Sequence, residues 1–133
     1  MRFLLDTNVC IRYLQGRLPV IRDAIHARQP QNMVICSVVR AELFYGAMKS
    51  QFPEETLLKQ RNFIDRFPTL SFDDNAAIIF GQIRADLHRQ GNPIGPYDLQ
   101  IAAIALANNL TLVTHNSREF SRVNGLSLVD WEI

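Results

Sequence analysis

The sequence predicts an α/β fold in which a central parallel sheet of about four to five strands is covered by helices on both faces. Three observations support this fold class. Short apolar runs alternate with helical patterns along the chain, which is the order of strands and crossover helices in a parallel sheet. One helical pattern, at residues 101–106, is apolar almost all round and predicts a buried helix. The length of 133 residues allows one domain, which we expect to span residues 1–133.

The first third of the chain predicts two strands separated by two short helices. Arg2–Leu5 is an apolar run that ends at a polar residue, which is typical of a buried strand. Val9–Leu14 predicts a helix that ends near Gly16, and Leu18–Arg28 predicts a second short helix. Met33–Cys36 is again apolar and predicts the second strand.

The middle of the chain is predicted to be mostly helical. Ser37 is placed to cap a helix that continues to Lys49, and Pro53 suits the first turn of the next helix. The run Thr69–Phe72 predicts a third strand. An aspartate at position 73 or 74 then caps a long helix with one apolar face, which ends at Gly91.

The last third predicts a buried helix between two further strands and the end of the chain. Pro96 opens this helix, which continues to Asn108. Leu110–Thr114 and Leu126–Val129 predict the last two strands. In sheets of this kind, ligands bind beyond the carboxyl ends of the strands, so functional residues are expected there.

Composition and charge exclude several classes of protein. A net charge of +1 excludes a strongly basic chain that wraps nucleic acid, although only Lys49 and Lys59 of the 14 basic residues are lysines. The excess of arginine suits phosphate contacts or reflects a general preference of the genome. Cys10 and Cys36 match no disulfide or metal-binding pattern, and no apolar run suits a signal peptide or a membrane span. We therefore expect a cytoplasmic protein with no membrane association.

Four acidic residues occupy positions that are unusual for solvated acids. Asp6 directly follows the first strand, and Glu119 follows the strand that ends at Thr114. Glu42 lies within a helix among apolar neighbours, where a carboxylate needs a partner or a metal ion. Asp6 and Asp98 also suit the starts of helices, so each has a purely structural interpretation when taken singly. Taken together, the four acids indicate a cluster at the strand ends.

A cluster of carboxylates predicts a divalent cation, because ionised carboxylates repel each other unless a cation lies between them. Oxygen ligands without a cluster of Cys or His favour Mg²⁺ or Mn²⁺ over Zn²⁺. Such a cation polarises a phosphoryl oxygen, lowers the pKa of a water molecule and stabilises the leaving oxygen, which suits phosphodiester hydrolysis. The residues leave open whether one ion or two are bound, and the lone His115 is assigned no role.

Four groups of residues follow each other in an order and spacing that resemble a known family. They are Leu4-Leu5-Asp6-Thr7-Asn8; Ser37 with Ala41-Glu42-Leu43 and Tyr45-Gly46; Gly95-Pro96-Tyr97-Asp98 with Ile101-Ala102-Ala103; and Thr114-His115-Asn116 with Glu119-Phe120. Together with the closing Asp130-Trp131, they resemble the PIN-domain ribonucleases, in particular the VapC toxins of bacterial toxin–antitoxin modules. The resemblance covers nearly the whole chain.

The resemblance implies both an architecture and an activity. The architecture is a PIN-like three-layer sandwich with a central parallel sheet. The activity is that of an endoribonuclease dependent on Mg²⁺ or Mn²⁺, with RNA as substrate and transfer RNA as the expected RNA. The implied partners are a second copy of the chain and a VapB-like antitoxin protein, in a toxin–antitoxin hetero-oligomer.

The resemblance also implies roles for individual residues. Asp6, Glu42 and Asp98 match the three acidic metal ligands and catalytic residues of the family. Asn116 stands where many PIN domains have a fourth acid, so either Asn116 is a neutral ligand or Glu119 supplies the fourth catalytic carboxylate. The residues expected to orient the carboxylates through hydrogen bonds are Thr7, Asn8, Ser37 and Thr114. Arg118 and Arg122 are the candidates for RNA binding.

Three other classes of protein share parts of this pattern. A PIN-like domain that binds RNA without cutting it stays open, since only the presence of Asp6, Glu42 and Asp98 argues against it. A receiver-type signalling domain would need paired acids after the first strand and a late lysine, whereas no lysine follows Lys59. A haloacid-dehalogenase-like phosphatase would need Asp-x-Asp, where residues 6–8 read Asp-Thr-Asn. Cleavage of RNA with and without EDTA separates the first alternative from a nuclease.

Overall fold

Five short parallel strands form one sheet in the computed structural model, which describes residues 1–133. The strands are β1 (Phe3–Leu5), β2 (Met33–Cys36), β3 (Thr69–Leu70), β4 (Thr111–Val113) and β5 (Ser127–Val129). Their order across the sheet is β3-β2-β1-β4-β5, so β1 lies at the centre. In the register of the sheet, Leu4 of β1 lies opposite Val34 of β2 on one side and Leu112 of β4 on the other.

Seven α-helices connect the strands. They are α1 (Thr7–Gln15), α2 (Pro19–His26), α3 (Ser37–Met48), α4 (Pro53–Ile64), α5 (Asp74–Arg89), α6 (Pro96–Ala107) and α7 (Ser117–Phe120), with a 3₁₀ turn at Pro30–Asn32. The chain moves from β1 to β2 to β3 in one direction and then from β3 to β4 to β5 in the other. Right-handed crossovers therefore place α1–α4 on one face and α5–α7 on the other, which confirms the predicted three-layer α/β architecture.

The core lies between the central strands and the helices. All four residues of β2 are buried, and residues 101–105 of α6 have no exposed surface, as predicted for a helix that is apolar almost all round. Leu4, Leu5, Leu112 and Val113 of the two central strands are also fully buried. Both faces of these strands are thus shielded from solvent, which explains their unbroken apolar runs. No helix combines the length and apolar character needed to cross a membrane.

The structure corrects several details of the sequence prediction. Cys36 occupies the N-cap position of α3, and Ser37 is the first helical residue and not its cap. Asp73 is the cap of α5, since its Oδ1 accepts a hydrogen bond from the amide of Ala76 at 2.9 Å. The strand at Thr69 is only two residues long, and α7 is an element that the apolar periodicity did not indicate because it has a single turn.

Candidate active site

Asp6 lies where the chain leaves the central strand β1. Its amide continues the sheet by donating to the carbonyl of Val113 at 3.0 Å, and its side chain is only 3% exposed. Oδ1 accepts from the amide of Thr7 at 2.9 Å, and Oδ2 accepts from the hydroxyl of Thr114 at 2.8 Å. Asp6 therefore caps α1, as its structural interpretation suggested, and is also fixed at the strand ends. β1 and β4 are the adjacent strands from which the chain turns in opposite directions, the position where open α/β sheets bind ligands.

Glu42 reaches the same place from the middle of α3. Its side chain is half-buried, and its Oε1 accepts a hydrogen bond of 2.6 Å from the hydroxyl of Thr7. Thr7 thus contacts both acids, with its amide on Asp6 and its hydroxyl on Glu42. A mid-helix carboxylate has no orphan amide to cap, so this buried threonine is what orients Glu42.

The end of β4 adds a second chain of hydrogen bonds. Thr114 has no exposed surface, donates its hydroxyl to Asp6 and accepts the amide of Asn116 at 3.0 Å. The side-chain amide of Asn116 in turn donates to Oε2 of Glu119 at 2.9 Å. Asn116 and Glu119, which the sequence left as alternatives for the fourth position, are therefore hydrogen-bonded to each other at the site.

Asp98 completes a group of four acids that we call the carboxylate cluster: Asp6, Glu42, Asp98 and Glu119. The pKa of Asp98 is raised to about 6, chiefly by burial and in addition by the negative charges of Asp6, Glu119 and Glu42. Burial also raises the pKa of Asp6, against the opposing effect of its hydrogen bonds from Thr114 and Thr7. No ion pair of the structure includes any of the four acids. The cluster therefore carries negative charge that the protein does not balance.

The donor atoms of the carboxylate cluster fit Mg²⁺ or Mn²⁺. All of them are oxygens, and a cation between them would offset both the burial and the repulsion that raise the pKa of Asp98. The nearby cysteines are unsuited as ligands, because burial raises the pKa of Cys36 to about 11 and raises the pKa of Cys10 strongly. Both thiols stay protonated at neutral pH, and a metal-binding sulfur needs to be a thiolate. The chemistry of the donors therefore favours an all-oxygen site over a zinc–thiolate site here.

Two of the predicted orienting residues make no contact of the expected kind. The side chain of Asn8 is exposed and makes no hydrogen bond to a carboxylate. Ser37 is also exposed, and its hydroxyl donates to the carbonyl of Leu70 at 3.5 Å. The successive side chains of a helix point in directions about 100° apart, so Asn8 points away from the site when Thr7 points into it. Arg118 and Arg122 are exposed beside Glu119, where they make no ion pair.

A second group of charged residues, not predicted from the sequence, lies on the other side of the end of β4. We call it the paired cluster: Arg12, His115, Asp130 and Glu132. Nδ1 of His115 lies 2.9 Å from Oδ2 of Asp130, and Nε of Arg12 lies 3.3 Å from Oε2 of Glu132. The partners come from three distant stretches of the chain, so no spacing in the sequence reveals them. The closing Asp130 is thus a partner of His115 and lies outside the hydrogen-bonded network of Asp6.

Comparisons with known proteins identify the family and the relatives of this chain. The family model described as PIN domain matches residues 3–126. The chain is 45% identical over 131 residues, 98% of each chain, to the tRNA(fMet)-specific endonuclease VapC of Shigella flexneri. Among solved structures, it is similar to DNA-bound VapBC from Salmonella typhimurium, with a TM-score of 0.93 and 44% identity over 98% of each chain. It is also similar to VapBC2 of Rickettsia felis bound to a promoter DNA fragment, with a TM-score of 0.91, 34% identity and coverage of 98% of this chain and 99% of that one.

Proposed function

Because this chain belongs to the PIN domain family, and within it to the VapC proteins, we propose that it is a Mg²⁺- or Mn²⁺-dependent endoribonuclease and the toxin of a toxin–antitoxin module. The observation that carries the proposal is the carboxylate cluster, in which four acids from separate elements meet without a cationic partner. The proposal takes residues 1–133 as one PIN domain, supported by a single hydrophobic core cluster that extends from Leu4 to Trp131.

The residues of the site have two proposed roles: some would bind the cation, and others orient the acids. Asp6, Glu42 and Asp98 would hold the cation, with Asn116 or Glu119 as a further oxygen donor. When bound, the cation supplies polarisation of the phosphoryl group and activation of the attacking water. Thr7 and Thr114 orient Asp6 and oppose the effect of burial on its pKa, because both donate hydrogen bonds to its carboxylate. Arg118 and Arg122 are proposed to contact phosphates of the RNA, because they are exposed and unpaired beside Glu119.

The products of cleavage test the mechanism. A water molecule activated by the proposed cation would attack phosphorus without the ribose 2′-hydroxyl, so the cut should leave a 5′-phosphate and a 3′-hydroxyl. The measurement is end mapping of RNA cut by the purified protein with Mn²⁺ or Mg²⁺, beside the same reaction in EDTA and the same reaction with Asp6→Asn. Cyclic phosphate ends, or full activity in EDTA, would overturn the mechanism.

The proposed substrate is transfer RNA, and in particular the initiator species, since the relative from Shigella flexneri is named as specific for tRNA(fMet). Incubation of total transfer RNA with the protein, followed by sequencing of the new 5′ ends, tests this choice. Cuts confined to one transfer RNA support it, whereas scattered cuts in all RNA would leave only a general nuclease. Binding of RNA without any cut, in the presence of Mn²⁺, would favour the non-catalytic RNA-binding alternative.

The proposed partners are a second copy of the chain and a small VapB-like antitoxin, since the similar solved structures are VapBC complexes. The carboxylate cluster is a receptor for a guanidinium as well as for a metal ion, so the antitoxin is expected to place an Arg or Lys near Asp6, Glu42 and Asp98. The protein would act in the cytoplasm, where its RNA substrate is found and where the free Cys10 and Cys36 stay reduced.

Growth of cells that express the chain tests the toxin assignment. Expression alone should arrest growth, and either Asp6→Asn or co-expression of the small protein encoded beside the chain should relieve the arrest. The comparison requires equal amounts of the wild type and Asp6→Asn protein. If both arrest growth equally at equal amounts, the arrest does not come from this site and the toxin assignment fails.

A further inference from the structure

A cavity of about 590 Å³ opens directly beside the carboxylate cluster, between α3 and α6. We propose that this cavity is a nucleobase subsite, which takes the base of the nucleotide next to the scissile phosphate and stacks it on Tyr97 and Tyr45. The inference rests on the proposed ribonuclease function and extends it, because it assigns residues that select the RNA sequence at the cut.

The position of the cavity places it within one nucleotide of the reaction. Glu42, one of the four acids of the carboxylate cluster, lines its wall. Tyr97 lines it as well and immediately precedes Asp98 in the first turn of α6. A phosphate held at the carboxylate cluster is joined to the neighbouring base by a single ribose. The neighbouring base must therefore lie against this wall or be turned out into solvent.

The walls of the cavity have ring surface available for stacking. Tyr45 is 67% exposed and Tyr97 is 60% exposed, although both line the cavity. By contrast, the third tyrosine, Tyr13, is stacked on Phe63 with a centroid distance of 4.1 Å. The rings of Tyr45 and Tyr97 therefore have surface free for a ligand, and aromatic rings are the usual platforms for bases of single-stranded RNA. The volume also lies within the range of roughly 300–1,000 Å³ that is typical of small-molecule sites.

Polar and charged groups of the cavity favour a nucleotide over a purely apolar occupant. The side-chain amide of Gln100 is half-buried in the wall and makes no hydrogen bond within the protein. An amide both donates and accepts, so it can pair with the edge of a base. Nζ of Lys49 lies 4.8 Å from the ring centre of Tyr45, which brings a positive charge to the rim for a neighbouring phosphate. An apolar side chain of a protein partner would leave Gln100 unpaired.

Abasic nucleotides test the subsite. A cleavable RNA is prepared with one base removed at each position on either side of the cut in turn, and single-turnover cleavage is measured with the full chain. For the wild type, removal of one particular base should slow cleavage by about 5- to 100-fold, the loss of one stacked base. Tyr97→Ala should show a similar loss on the intact RNA and little further loss on that abasic RNA. Tyr97→Phe, which keeps the ring, should cut at nearly the wild-type rate.

Two further variants sharpen the assignment. Gln100→Ala should change the preference among the four bases at that position, with less effect on the rate for the abasic RNA. Phe52→Ala is the matched control, because Phe52 is 60% exposed but lies outside the cavity, and it should change neither rate nor preference. Equal slowing by Tyr97→Ala on intact RNA and on every abasic RNA would overturn the subsite.

Binding separates failure of the subsite from failure of the proposed function. The same RNAs are titrated against the Asp6→Asn protein, which is not expected to cut. Loss of affinity for one abasic RNA, absent when Tyr97→Ala is added, supports the subsite even if no cleavage by the wild type is found. If the wild type cuts RNA but Tyr97→Ala weakens only the binding of the antitoxin, the cavity belongs to the protein partner and the inference is wrong.

Discussion

Consecutive residues at the end of β4 contact the two clusters: Thr114 donates a hydrogen bond to Asp6 of the carboxylate cluster, and His115 belongs to the paired cluster. The acids of the two clusters have different kinds of partner. In the paired cluster, the guanidinium of Arg12 lies against Glu132 and the ring of His115 lies against Asp130. In the carboxylate cluster, hydroxyl and amide groups orient Asp6, Glu42 and Glu119, and no cation pairs with any of the four acids.

Distance alone would suggest the wrong metal site. Potential ligand atoms of His115, Asp130 and Glu132 all lie within 4.8 Å of one another. Arg12, however, already pairs with Glu132, and His115 contacts Asp130, so a metal ion would have to compete with these contacts. Acids whose charge is balanced internally stabilise a fold, whereas acids held close together without balance require something from outside. This difference identifies the carboxylate cluster as the candidate site, and variants of the two clusters test it.

The largest expected effect is the difference in the rate of RNA cleavage between Asp6→Asn and Asp130→Asn. Asp6→Asn should lower the rate of RNA cleavage by about a thousandfold or more, because it removes a buried ionised oxygen from the proposed cation site. Asp130→Asn should leave the rate close to that of the wild type, because Asp130 contacts His115 and not the carboxylate cluster. Single-turnover rates at matched concentrations of folded protein provide the measurement. A large loss in Asp130→Asn would mean that both clusters belong to one site.

The next largest expected effect on the cleavage rate concerns Glu119, a candidate for the fourth position of the proposed cation site. Glu119→Gln should lower cleavage by about 10-fold to 100-fold, the usual cost of a residue that acts on a metal site through its neighbours. The amide that replaces the carboxylate keeps an oxygen for the side chain of Asn116, so the hydrogen bond at 2.9 Å can persist. Glu132→Gln is the matched control in the paired cluster. An unchanged rate in Glu119→Gln would remove Glu119 from the site, and a loss as large as that of Asp6→Asn would make it a direct ligand.

The elements of the carboxylate cluster were predictable because each belongs to a local pattern. An apolar run that stops at Asp6 marks a strand end, and a glutamate among apolar neighbours marks Glu42 as unusual wherever the helix lies. The order of the strands then follows from the rules for parallel sheets, and these rules bring the strand ends together. What remained unpredicted depends on side-chain direction. Asn8 and Ser37 neighbour site residues in sequence, but neither hydrogen-bonds a carboxylate.

The paired cluster was unpredictable for a different reason. His115 and Asp130 are 15 residues apart, and Arg12 is farther still from Glu132, so no helical or strand period connects them. Their contacts exist only because β5 returns beside β4 and brings the last residues of the chain next to α1. Sequence patterns describe one element at a time, whereas an ion pair between elements is a property of their packing.

Removal of a partner from the paired cluster should have a smaller effect, and this effect should be on the free energy of unfolding. Arg12→Ala leaves the carboxylate of Glu132, which is 10% exposed, without its guanidinium. We expect the free energy of unfolding to fall by about 1–2 kcal/mol, below the usual cost for a fully buried pair because Arg12 itself is 42% exposed. Urea denaturation measures this change, with Arg17→Ala as the control because Arg17 is exposed and makes no ion pair. The cleavage rate of the folded variant should stay that of the wild type, and a large loss would contradict the separation of the clusters.

The smallest effect has the opposite sign and comes from Asp98. Because its pKa is raised from 3.8 to about 6 in the folded chain, the folded state holds a proton that the unfolded state has already released between these pH values. The contribution of Asp98 to the free energy of unfolding of the cation-free wild type should therefore fall as pH rises from 3.8 to about 6, and then level off. Asp98→Asn has no carboxyl at this position to titrate, so it should not show this fall in the free energy of unfolding. Near neutral pH and in EDTA it should be more stable than the wild type by about 1 kcal/mol or less, once solvent screening of this half-exposed group is discounted.

Thermal unfolding of both proteins across this pH range provides the measurement, and Mg²⁺ provides the control. The advantage of Asp98→Asn should shrink as pH falls and disappear below 3.8, where the wild-type carboxyl becomes protonated in both states. Addition of Mg²⁺ should stabilise the wild type more than the variant, because a ligand stabilises only the state that binds it. The difference between the two melting temperatures should then narrow or change sign. A variant that is less stable than the wild type in EDTA near neutral pH would mean that the four acids do not repel each other, and the contrast between the two clusters would lose its physical basis.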